Sequence, residues 1–377
     1  MRNISYLIKP ASSLCNLRCK YCFYENESIN REKASFGVMN EETALNVINK
    51  GYQSLDGQGH ISFAFQGGEP TTAGIDFFKF FVNEAKRLKP DNVDISFSIQ
   101  TNGILIDDEW AKFFKKENFL VGLSIDGNKK LHNKYRVYSN NKETFDRVIC
   151  AMETFKRHKV DFNALCVVTK DCAQNPKAIY ESLKRLGFEY MQFIGCLDFI
   201  EVERGSLPWS LSPEDYGKFL CELFDLWYED WEKGHYHSIR LFDDYINILL
   251  NSPYSTCATC GRCGGYFVIE ANGDVYPCDF FCLDNWKVGN INFSSLDELR
   301  TSSKFEEFLA FGKDKPTKCL NCKYRRLCNG GCKNDWIKKE DQYENYYCSS
   351  FYQLFEHAYP RMRYIAEQEL LARTNKY

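Results

Sequence analysis

Three cysteines lie close together near the start of the sequence, in the stretch SSLCNLRCKYCFY. Cys15, Cys19 and Cys22 are separated by three residues and then by two. A cubane iron-sulfur cluster has four irons, and each is usually held by one cysteine thiolate. Three protein thiolates leave one iron open, so a small molecule can bind there through its own nitrogen and oxygen. The alternatives are three unrelated thiols, or part of a zinc site whose fourth ligand lies elsewhere.

A second group of cysteines lies in the last third of the chain. Eight thiolates there can ligate two complete cubane clusters. Two structural zinc sites are the alternative, because CxxC pairs also suit tetrahedral zinc. The group consists of Cys257, then Cys263-x9-Gly273-x4-Cys278, then Cys319-x2-Cys322-x5-Cys328-x3-Cys332, and finally Cys348.

The composition limits the class of protein. The 377 residues, 44% of them apolar, suffice for two or three globular domains. The sequence shows neither a signal peptide nor an apolar run long enough to span a membrane, which predicts a cytoplasmic protein. In that compartment, eighteen cysteines indicate metal ligands rather than a disulfide framework. A net charge of -3, from 48 basic and 51 acidic residues, argues against a nucleic acid or a membrane as partner.

Six short apolar segments alternate with helical segments in the first part of the chain. The helical segments have apolar residues at helical spacing, and several begin with a residue that can cap a helix. This alternation predicts parallel strands joined by right-handed crossovers, in an open sheet or a partial barrel. Ligand sites in such folds lie at the carboxyl ends of the strands. The predicted strands are 4–9, 61–65, 95–99, 119–125, 161–168 and 190–194.

The pattern changes at about residue 212, which predicts further units. A long helical stretch is followed by the cysteine-rich tail, in which Asn272-Gly273 predicts a tight hairpin turn. The end of the chain, from about Tyr347, has a helical pattern rich in aromatic residues. The predicted units are 1–211 for the strand-rich core, 212–255 for a helical linker region, 256–350 for the cysteine-rich domain and 351–377 for a C-terminal helix.

The first cysteine motif resembles that of the radical S-adenosylmethionine (SAM) superfamily. Its hallmark is CxxxCxxC, here with an aromatic residue before the last cysteine, and the GGE of FQGGEP (65–70) also matches the superfamily. The resemblance implies a [4Fe-4S] cluster on Cys15, Cys19 and Cys22, with SAM on its open iron. For Ser124, Arg136 and Leu197, ordinary loop positions are the alternative. The residues implied to contact SAM are Tyr21, Gly68, Glu69, Ser124, Arg136 and Leu197.

The cysteine-rich tail resembles the SPASM domain, a C-terminal extension of peptide-modifying radical SAM enzymes. The resemblance implies two auxiliary [4Fe-4S] clusters, and thus three clusters in all. Spacing alone does not give their interleaved pairing. Cys260 lies between two implied ligands and is an alternative one, and the role of Cys282 is open. The implied ligands are Cys257, Cys263, Cys278 and Cys332 for one cluster and Cys319, Cys322, Cys328 and Cys348 for the other.

Essentially the whole chain resembles the anaerobic sulfatase-maturating enzymes, through segments such as IKPASSLCNLRCKYCFY, VGLSIDG and VYPCDFF. The resemblance implies an α/β fold, in which a partial (β/α)6 TIM-like barrel precedes a SPASM domain with a β-hairpin and C-terminal helices. It also implies oxidation of a cysteine or serine in a sulfatase CxPxR or SxPxR motif to Cα-formylglycine. A 5′-deoxyadenosyl radical from SAM takes a β-hydrogen, and the auxiliary clusters take the second electron.

Asp279, directly after Cys278, occupies the position of the catalytic base in this family. A free aspartate, with a pKa near 3.9, is a poor base for a thiol near 8.5. Burial can raise the pKa of the aspartate, and a radical on the adjacent carbon can acidify the thiol. The alternative is that Asp279 orients the cluster loop. Tyr24 and Gln66 are predicted to line the peptide pocket, with packing in the core as their alternative.

The predicted partners are a sulfatase polypeptide or similar peptide and an external low-potential electron donor. Another SPASM-type peptide maturase, which forms a thioether, a crosslink or an epimer, is the alternative function. A zinc-stabilised binding module is a further alternative of a different class. The sequence leaves open the preference for cysteine or serine.

Overall fold

The computed structural model of the protein describes residues 2–311, 313, 315–339 and 342–374. The strands of this part of the chain are mostly short segments rich in β-branched and aromatic residues, as strand propensity favours. They are β1 (Arg2–Ile8), β2 (Gln58–Phe65), β3 (Asn92–Thr101), β4 (Leu120–Ser124), β5 (Asp161–Val168), β6 (Tyr190–Gly195), β7 (Ser238–Ile239), β8 (Phe267–Ile269), β9 (Asp274–Tyr276), β10 (Gly289–Asn290), β11 (Trp336–Lys339) and β12 (Gln342–Asn345).

Helices connect most of these strands. Short 3-10 helices occupy Pro70–Ala73, Asp279–Phe281, Asp284–Trp286 and Lys333–Asp335. The α-helices are α1 (Phe23–Ile29), α2 (Glu41–Gln53), α3 (Ile75–Arg87), α4 (Asp108–Lys116), α5 (Lys129–Tyr135), α6 (Phe145–His158), α7 (Lys170–Ala173), α8 (Pro176–Arg185), α9 (Pro213–Glu232), α10 (Arg240–Leu249), α11 (Cys257–Cys260), α12 (Leu296–Arg300), α13 (Ser303–Phe311), α14 (Thr317–Leu320), α15 (Arg325–Cys328) and α16 (Cys348–Thr374).

The six predicted strands are all present, as β1 to β6. They lie side by side in chain order, and each is parallel to the next. Chain order is typical of the wall of a (β/α) barrel, whereas the order reverses in a doubly wound sheet. The sheet stays open, with β7 at one edge and β10 at the other. The predicted α/β class is therefore confirmed.

The strands are held by a row of aromatic rings that crosses the sheet. The ring of Phe63 stacks between those of Tyr6 and Phe97, at centroid distances of 5.8 and 5.7 Å. Phe97 stacks in turn on Phe119, which directly precedes β4, at 5.3 Å. All four side chains are buried. Strand β3 begins before the predicted 95–99 because ladder pairing with β2 extends to the polar Asn92.

The predicted helix starts follow from capping chemistry. The Asn40 side chain accepts a hydrogen bond from the backbone N–H of Thr43 at the start of α2. Ser212 does the same for Asp215 at the start of α9, where the sequence pattern changes. Helix α9 packs against α16. The ring of Tyr216 on α9 contacts the rings of Tyr347 and Phe351, at the start of the C-terminal helix.

The C-terminal hairpin joins the sheet beside the first strand. Strand β8 pairs parallel to β1, and Lys9 N–H donates to the Ile269 carbonyl at 2.8 Å. Strands β8 and β9 are antiparallel, and Gly273 in their turn has a φ of +86°, as the Asn-Gly signal predicts. This pairing brings the segment that follows β9, with Cys278 and Asp279, next to the end of β1.

The predicted units remain predictions, and the sheet crosses their boundaries. Strands β8 to β10 of the predicted 256–350 domain extend the sheet of the predicted 1–211 core. Residues 1 and 375–377, at the outer ends of the first and last predicted units, lie outside the described residues, as do 312, 314, 340 and 341. Across the described ranges, none of the helices combines the length and apolar character needed to cross a membrane.

Candidate active site

The loop that carries Cys15, Cys19 and Cys22 lies between β1 and α1, at the carboxyl edge of the sheet. Its backbone pairs with the segment that follows α5. Arg18 N–H donates to the carbonyl of residue 137 at 2.8 Å, and Lys20 N–H donates to the carbonyl of residue 135 at 2.9 Å. The loop is therefore fixed directly over the Arg136 region.

The three thiols of this loop form one group. The pKa of Cys15 and of Cys19 is raised to about 12, mainly by burial and in part by the nearby Cys22. All three thiols are carried by one short loop between β1 and α1, as a cluster with three protein ligands requires. Sulfur donors suit iron, and the thiolates that bind it must first lose these protons.

The GGE turn packs against the cysteine loop. Gly68 N–H donates to Ser12 O at 3.0 Å, and Glu69 N–H donates to Leu14 O at 2.7 Å. A Cβ at Gly68 would lie 2.3 Å from Leu14 O, so a glycine is required for this close approach. Gly68 thus sets the height of the cysteine loop above the sheet, and its predicted contact with SAM remains a prediction.

The carboxylate of Glu69 is buried, and both of its oxygens accept hydrogen bonds from protein donors. Oε1 accepts hydrogen bonds from Thr71 N–H, Thr71 Oγ1 and Thr101 Oγ1, and Oε2 accepts one from Asn102 N–H at 2.7 Å. Burial raises the pKa of Glu69, and these donors oppose the rise. The sequence-based role of Glu69, contact with the amino group of SAM, therefore requires that an oxygen already hydrogen-bonded accept one more donor.

Asn102 is a site residue that the sequence reading did not single out. Its Nδ2 donates to Asn16 Oδ1 at 2.8 Å and lies 3.8 Å from Cys15 Sγ. Asn102 directly follows β3, in the motif IQTNG. Its place at the carboxyl end of a predicted strand was the signal that could have identified it.

Arg136 and Tyr21 meet on a buried aspartate that the sequence reading also missed. Arg136 Nε donates to Asp126 Oδ2 at 2.9 Å, and the Tyr21 hydroxyl donates to the same oxygen. The guanidinium of Arg136 lies 5.5 Å from the centre of the Tyr21 ring. Asp126 follows β4 in the motif SIDG, and it links the cysteine loop to the carboxyl edge of the sheet.

Ser124 and Leu197 lie at the carboxyl ends of two further strands. Ser124 is the last residue of β4, and its Oγ accepts a hydrogen bond from Gln100 Nε2 at 2.9 Å. Leu197 lies two residues after the end of β6 and is half-buried. The structure brings the predicted SAM-contacting residues to one edge of the sheet, and their individual roles remain predictions.

Asp279, Tyr24 and Gln66 form a hydrogen-bonded chain. The Tyr24 hydroxyl donates to Asp279 Oδ2 at 2.6 Å and accepts a hydrogen bond from Gln66 Nε2 at 2.5 Å. Asp279 begins the 3-10 turn after Cys278, Tyr24 lies on α1, and Gln66 follows β2. The sequence reading assigned Tyr24 and Gln66 to the peptide pocket, and the structure places both beside the predicted base.

A buried ion pair between Lys9 and Glu27 lies next to Asp279. Lys9 Nζ lies 2.7 Å from Glu27 Oε2 and 3.7 Å from Asp279 Oδ1. Burial disfavours the charge of Lys9, but the surrounding acidic groups outweigh burial and raise its pKa. Glu27 also accepts a hydrogen bond from Cys282 N–H at 3.0 Å. Lys9 and Glu27 were missed, although a lysine directly after the apolar strand ISYLI was a visible signal.

Asp279 has the environment that a general base needs. Burial raises its pKa, while Lys9 and the Tyr24 hydroxyl oppose the rise. Its Oδ1 is buried and has no hydrogen-bond partner among the described residues. A buried acceptor without a donor is costly, so this oxygen is suited to a donor brought by the substrate.

The first auxiliary set of cysteines includes Cys278, the residue directly before Asp279. Burial raises the pKa of Cys332, and the nearby Cys278 and Cys257 raise it further. Burial lowers the pKa of Lys333 to about 8, while Cys263, Cys278 and Cys332 oppose this. Cys332 and Lys333 are thus both influenced by cysteines implied for this cluster, whose grouping remains a prediction. Cys260 also influences Cys257, so it stays an alternative ligand.

The second auxiliary set surrounds a cavity of about 130 Å³. A cavity among four cysteines fits a group larger than a single ion, as a cubane cluster is. Across the described residues, no three or more His, Cys, Asp or Glu side chains are arranged to hold a single metal ion. The cavity is lined by the four cysteines predicted for this cluster, Cys319, Cys322, Cys328 and Cys348.

Comparison with known proteins identifies the family. The radical SAM superfamily model matches residues 10–183, and the SPASM iron-sulfur cluster-binding domain model matches residues 257–323. A cysteine-type anaerobic sulfatase-maturating enzyme of Clostridium perfringens is 45% identical over 368 residues, which cover 97% of this chain and 99% of the relative. This chain belongs to the anaerobic sulfatase-maturating enzymes.

Further relatives of the sulfatase-maturating family agree. A serine-type enzyme of Bacteroides thetaiotaomicron is 32% identical over 381 residues, covering 96% of this chain and 91% of the relative. The structure of "native anSMEcpe with bound AdoMet and Kp18Cys peptide" matches with a TM-score of 0.92 and 44% identity, over 97% of this chain and all of that one. The predicted family, fold class, enzyme type and cofactors, SAM and [4Fe-4S] clusters, are confirmed.

Proposed function

We propose that this enzyme oxidises a cysteine of a sulfatase polypeptide to Cα-formylglycine, with Asp279 as the base. The buried Asp279 Oδ1 carries this proposal, because it accepts no hydrogen bond from the described residues, while Oδ2 of the same carboxylate is held by a hydrogen-bonded chain. We assign to the protein a peptide substrate, an external low-potential electron donor and a cytoplasmic location. Nucleic acid and membrane are not proposed as partners.

The balance of the reaction defines what the protein must do. The substrate CH2–SH loses one hydrogen atom from carbon, one proton from sulfur and one electron, and water then replaces sulfur, which leaves as hydrogen sulfide. When bound, SAM and its cluster supply the radical that takes the hydrogen atom, and the auxiliary clusters accept the electron. The protein's own side chains must position the thiol and accept its proton.

Asp279 accepts that proton through Oδ1. Burial raises the pKa of the carboxyl group and so brings it closer to the pKa of the substrate thiol, which makes the carboxylate a better base for that thiol. Oδ2 is occupied by the Tyr24 hydroxyl, so the carboxylate presents its other oxygen to the substrate. Lys9, 3.7 Å from Oδ1, holds the carboxylate in its ionised form until the thiol arrives.

Tyr24 and Gln66 position the base. Gln66 Nε2 can only donate, so the Tyr24 hydroxyl must accept a hydrogen bond from it. The hydroxyl then donates its own hydrogen bond to Asp279. This order fixes the rotation of both the phenol and the carboxylate. A pre-oriented base loses less freedom when the substrate binds, which is a recognised source of rate.

The choice of cysteine as the substrate residue rests on the relatives. Cysteine-type enzymes of Clostridium are 42 to 45% identical to this chain, while the serine-type enzymes are 30 to 32% identical. Both types belong to one family, so the preference is one of degree. The same Asp279 can accept a proton from either hydroxyl or thiol, but the thiol is the more acidic group.

The test is an anaerobic incubation with SAM, a strong reductant and either a CxPxR or an SxPxR sulfatase peptide, followed by mass analysis. We expect formylglycine from both peptides, with faster conversion of the cysteine peptide. Conversion of only the serine peptide would contradict the cysteine preference. A thioether, crosslinked or epimerised product without formylglycine would contradict the proposed function and favour another SPASM-type maturation.

A further inference from the structure

Lys315 lies between the two auxiliary sets of cysteines. Its ammonium group donates to the carbonyl of Gly261, which belongs to the loop between Cys260 and Cys263. It interacts electrostatically with Cys263 and Cys260 of this loop and also with Cys319 and Cys328 of the second set. One cation therefore faces both groups of cluster ligands.

The side chain of Lys315 also lies next to Trp336 and Gly330. Its ammonium lies 5.2 Å from the centre of the Trp336 ring, and Trp336 Nε1 donates to Gly330 O at 2.9 Å. A Cβ at Gly330 would lie 3.5 Å from Lys315 Cδ and 3.7 Å from Cys319 Sγ. The lysine stem and a sulfur of the second set thus flank the same glycine.

A second lysine provides a comparison, because it serves one set alone. Lys333 is 4% exposed, and its ammonium lies over the Phe308 ring, 3.0 Å from the ring centre. The cysteines that act on it most strongly are Cys263, Cys278 and Cys332, all of the first set. The chain therefore places a buried cation at the first set and a half-buried cation between the two sets.

We propose that Lys315 is a positioning charge that raises the reduction potentials of both auxiliary clusters together. A cluster with four thiolates becomes more negative when it accepts an electron, so a nearby cation stabilises the reduced form. A cation near both clusters makes each of them a better acceptor of the substrate electron. Because it raises both reduction potentials together, it keeps the two potentials close, so that the electron can pass from one cluster to the other. This inference rests on the proposed assignment of two auxiliary clusters.

The test is an anaerobic potentiometric titration of the holoenzyme, followed by electron paramagnetic resonance. The cluster whose spectrum changes with SAM is the first one, and the other two signals report the auxiliary clusters. In Lys315→Met we expect both auxiliary potentials to fall, each by about a tenfold change in the reduction equilibrium, or about 59 mV. Lys315→Arg keeps the charge and should retain potentials near those of the unmodified enzyme.

Two further variants make the result specific. Lys333→Met should lower one auxiliary potential alone. Lys79→Gln removes an exposed cation that pairs with Glu109 on the outer helices, and should change neither potential. Unchanged auxiliary potentials in Lys315→Met, or a shift of one alone, would overturn the proposal, as would loss of auxiliary iron, which would make the residue a structural one. Iron content below two auxiliary clusters in the unmodified enzyme would instead refute the cluster assignment.

Discussion

Tyr24 and Asp279 lie 255 positions apart in the sequence and are joined by a 2.6 Å hydrogen bond from phenol to carboxylate. Tyr24 lies in the first turn of α1, two residues after Cys22, and Asp279 directly follows Cys278 of the first auxiliary set. This bond therefore connects the segment after the first cysteine loop to the segment after Cys278. Under the proposed function, we expect the substrate carbon to lie between these two segments.

Replacing Tyr24 with phenylalanine tests this bond. Hydrogen bonds to charged groups are worth about 1.5 to 3 kcal/mol, so we expect formylglycine formation to slow about tenfold or more. Cleavage of SAM should persist, because the cysteine loop is untouched. The control is Tyr52→Phe, which removes a buried hydroxyl that donates to Ala85 O in the core. An unchanged turnover number in Tyr24→Phe would contradict a role for the bond.

Gly68→Ala tests the packing of the GGE turn against the cysteine loop. The added Cβ would lie 2.3 Å from Leu14 O, so the loop must move. We expect loss of the first cluster with retention of the auxiliary pair, which is a fall of about one third in iron and sulfide. Gly37→Ala is a control for the added methyl group, because its Cβ would meet no atom within 4 Å, although its φ of +76° lies in the left-handed region, which Gly68 does not adopt. Full iron in Gly68→Ala would refute the packing argument.

His132 makes stability depend on pH. Its Nδ1 accepts the Asp126 N–H, and its Nε2 contacts Thr144 Oγ1, so the buried ring is neutral. Burial lowers its pKa from 6.5 to about 4, so the unfolded chain binds the proton more readily between these values. Stability contributed by the neutral ring is present above pH 6.5 and is lost as the pH falls toward 4. The loss amounts to about 3 kcal/mol when complete.

The measurement is anaerobic urea unfolding of the holoenzyme and of His132→Gln at pH 7 and pH 5. Glutamine cannot titrate, so the variant should be less stable at pH 7 but should lose less stability on acidification. An equal loss in both proteins would show that other groups determine the pH dependence.

The buried pair of Arg31 and Glu270 tests how the hairpin is attached. The two side chains are 2% and 0% exposed, and Arg31 lies 2.6 Å from Glu270. Loss of either partner leaves a buried charge, so Arg31→Met and Glu270→Met should each destabilise the enzyme by about 3 to 5 kcal/mol. The double variant should cost much less than the sum of both, as measured by urea unfolding. Additive effects would show that the pair is not coupled.

Much of the fold could be predicted because its signals are local. The apolar segments that became β1 to β6 alternate with capped helices, and Asn272-Gly273 specifies its own turn. The two-residue β7 and the attachment of β8 to β1 could not be predicted, since both depend on pairing between distant segments. No local pattern records which strand a hairpin joins.

The site was predicted to the extent that its chemistry is encoded in spacing. Cysteine motifs and the family resemblance predicted the cluster ligands, and the structure places Cys319, Cys322, Cys328 and Cys348 around one cavity, while the pairing itself remains a prediction. Lys9, Glu27 and Asp126 were missed because single charged residues belong to no spaced motif, although Lys9 could have been noticed from its position directly after a strand. Their importance follows from burial, which only the tertiary structure reveals.

The most direct test of Asp279 as the base is the ratio of formylglycine to 5′-deoxyadenosine formed by Asp279→Asn. Both products are quantified in one anaerobic reaction with the cysteine peptide, using protein with full iron content. General-base catalysis contributes about 10² to 10⁴ in rate, so we expect this ratio to fall at least a hundredfold while 5′-deoxyadenosine is still formed. A ratio equal to that of the unmodified enzyme would show that Asp279 does not accept the proton.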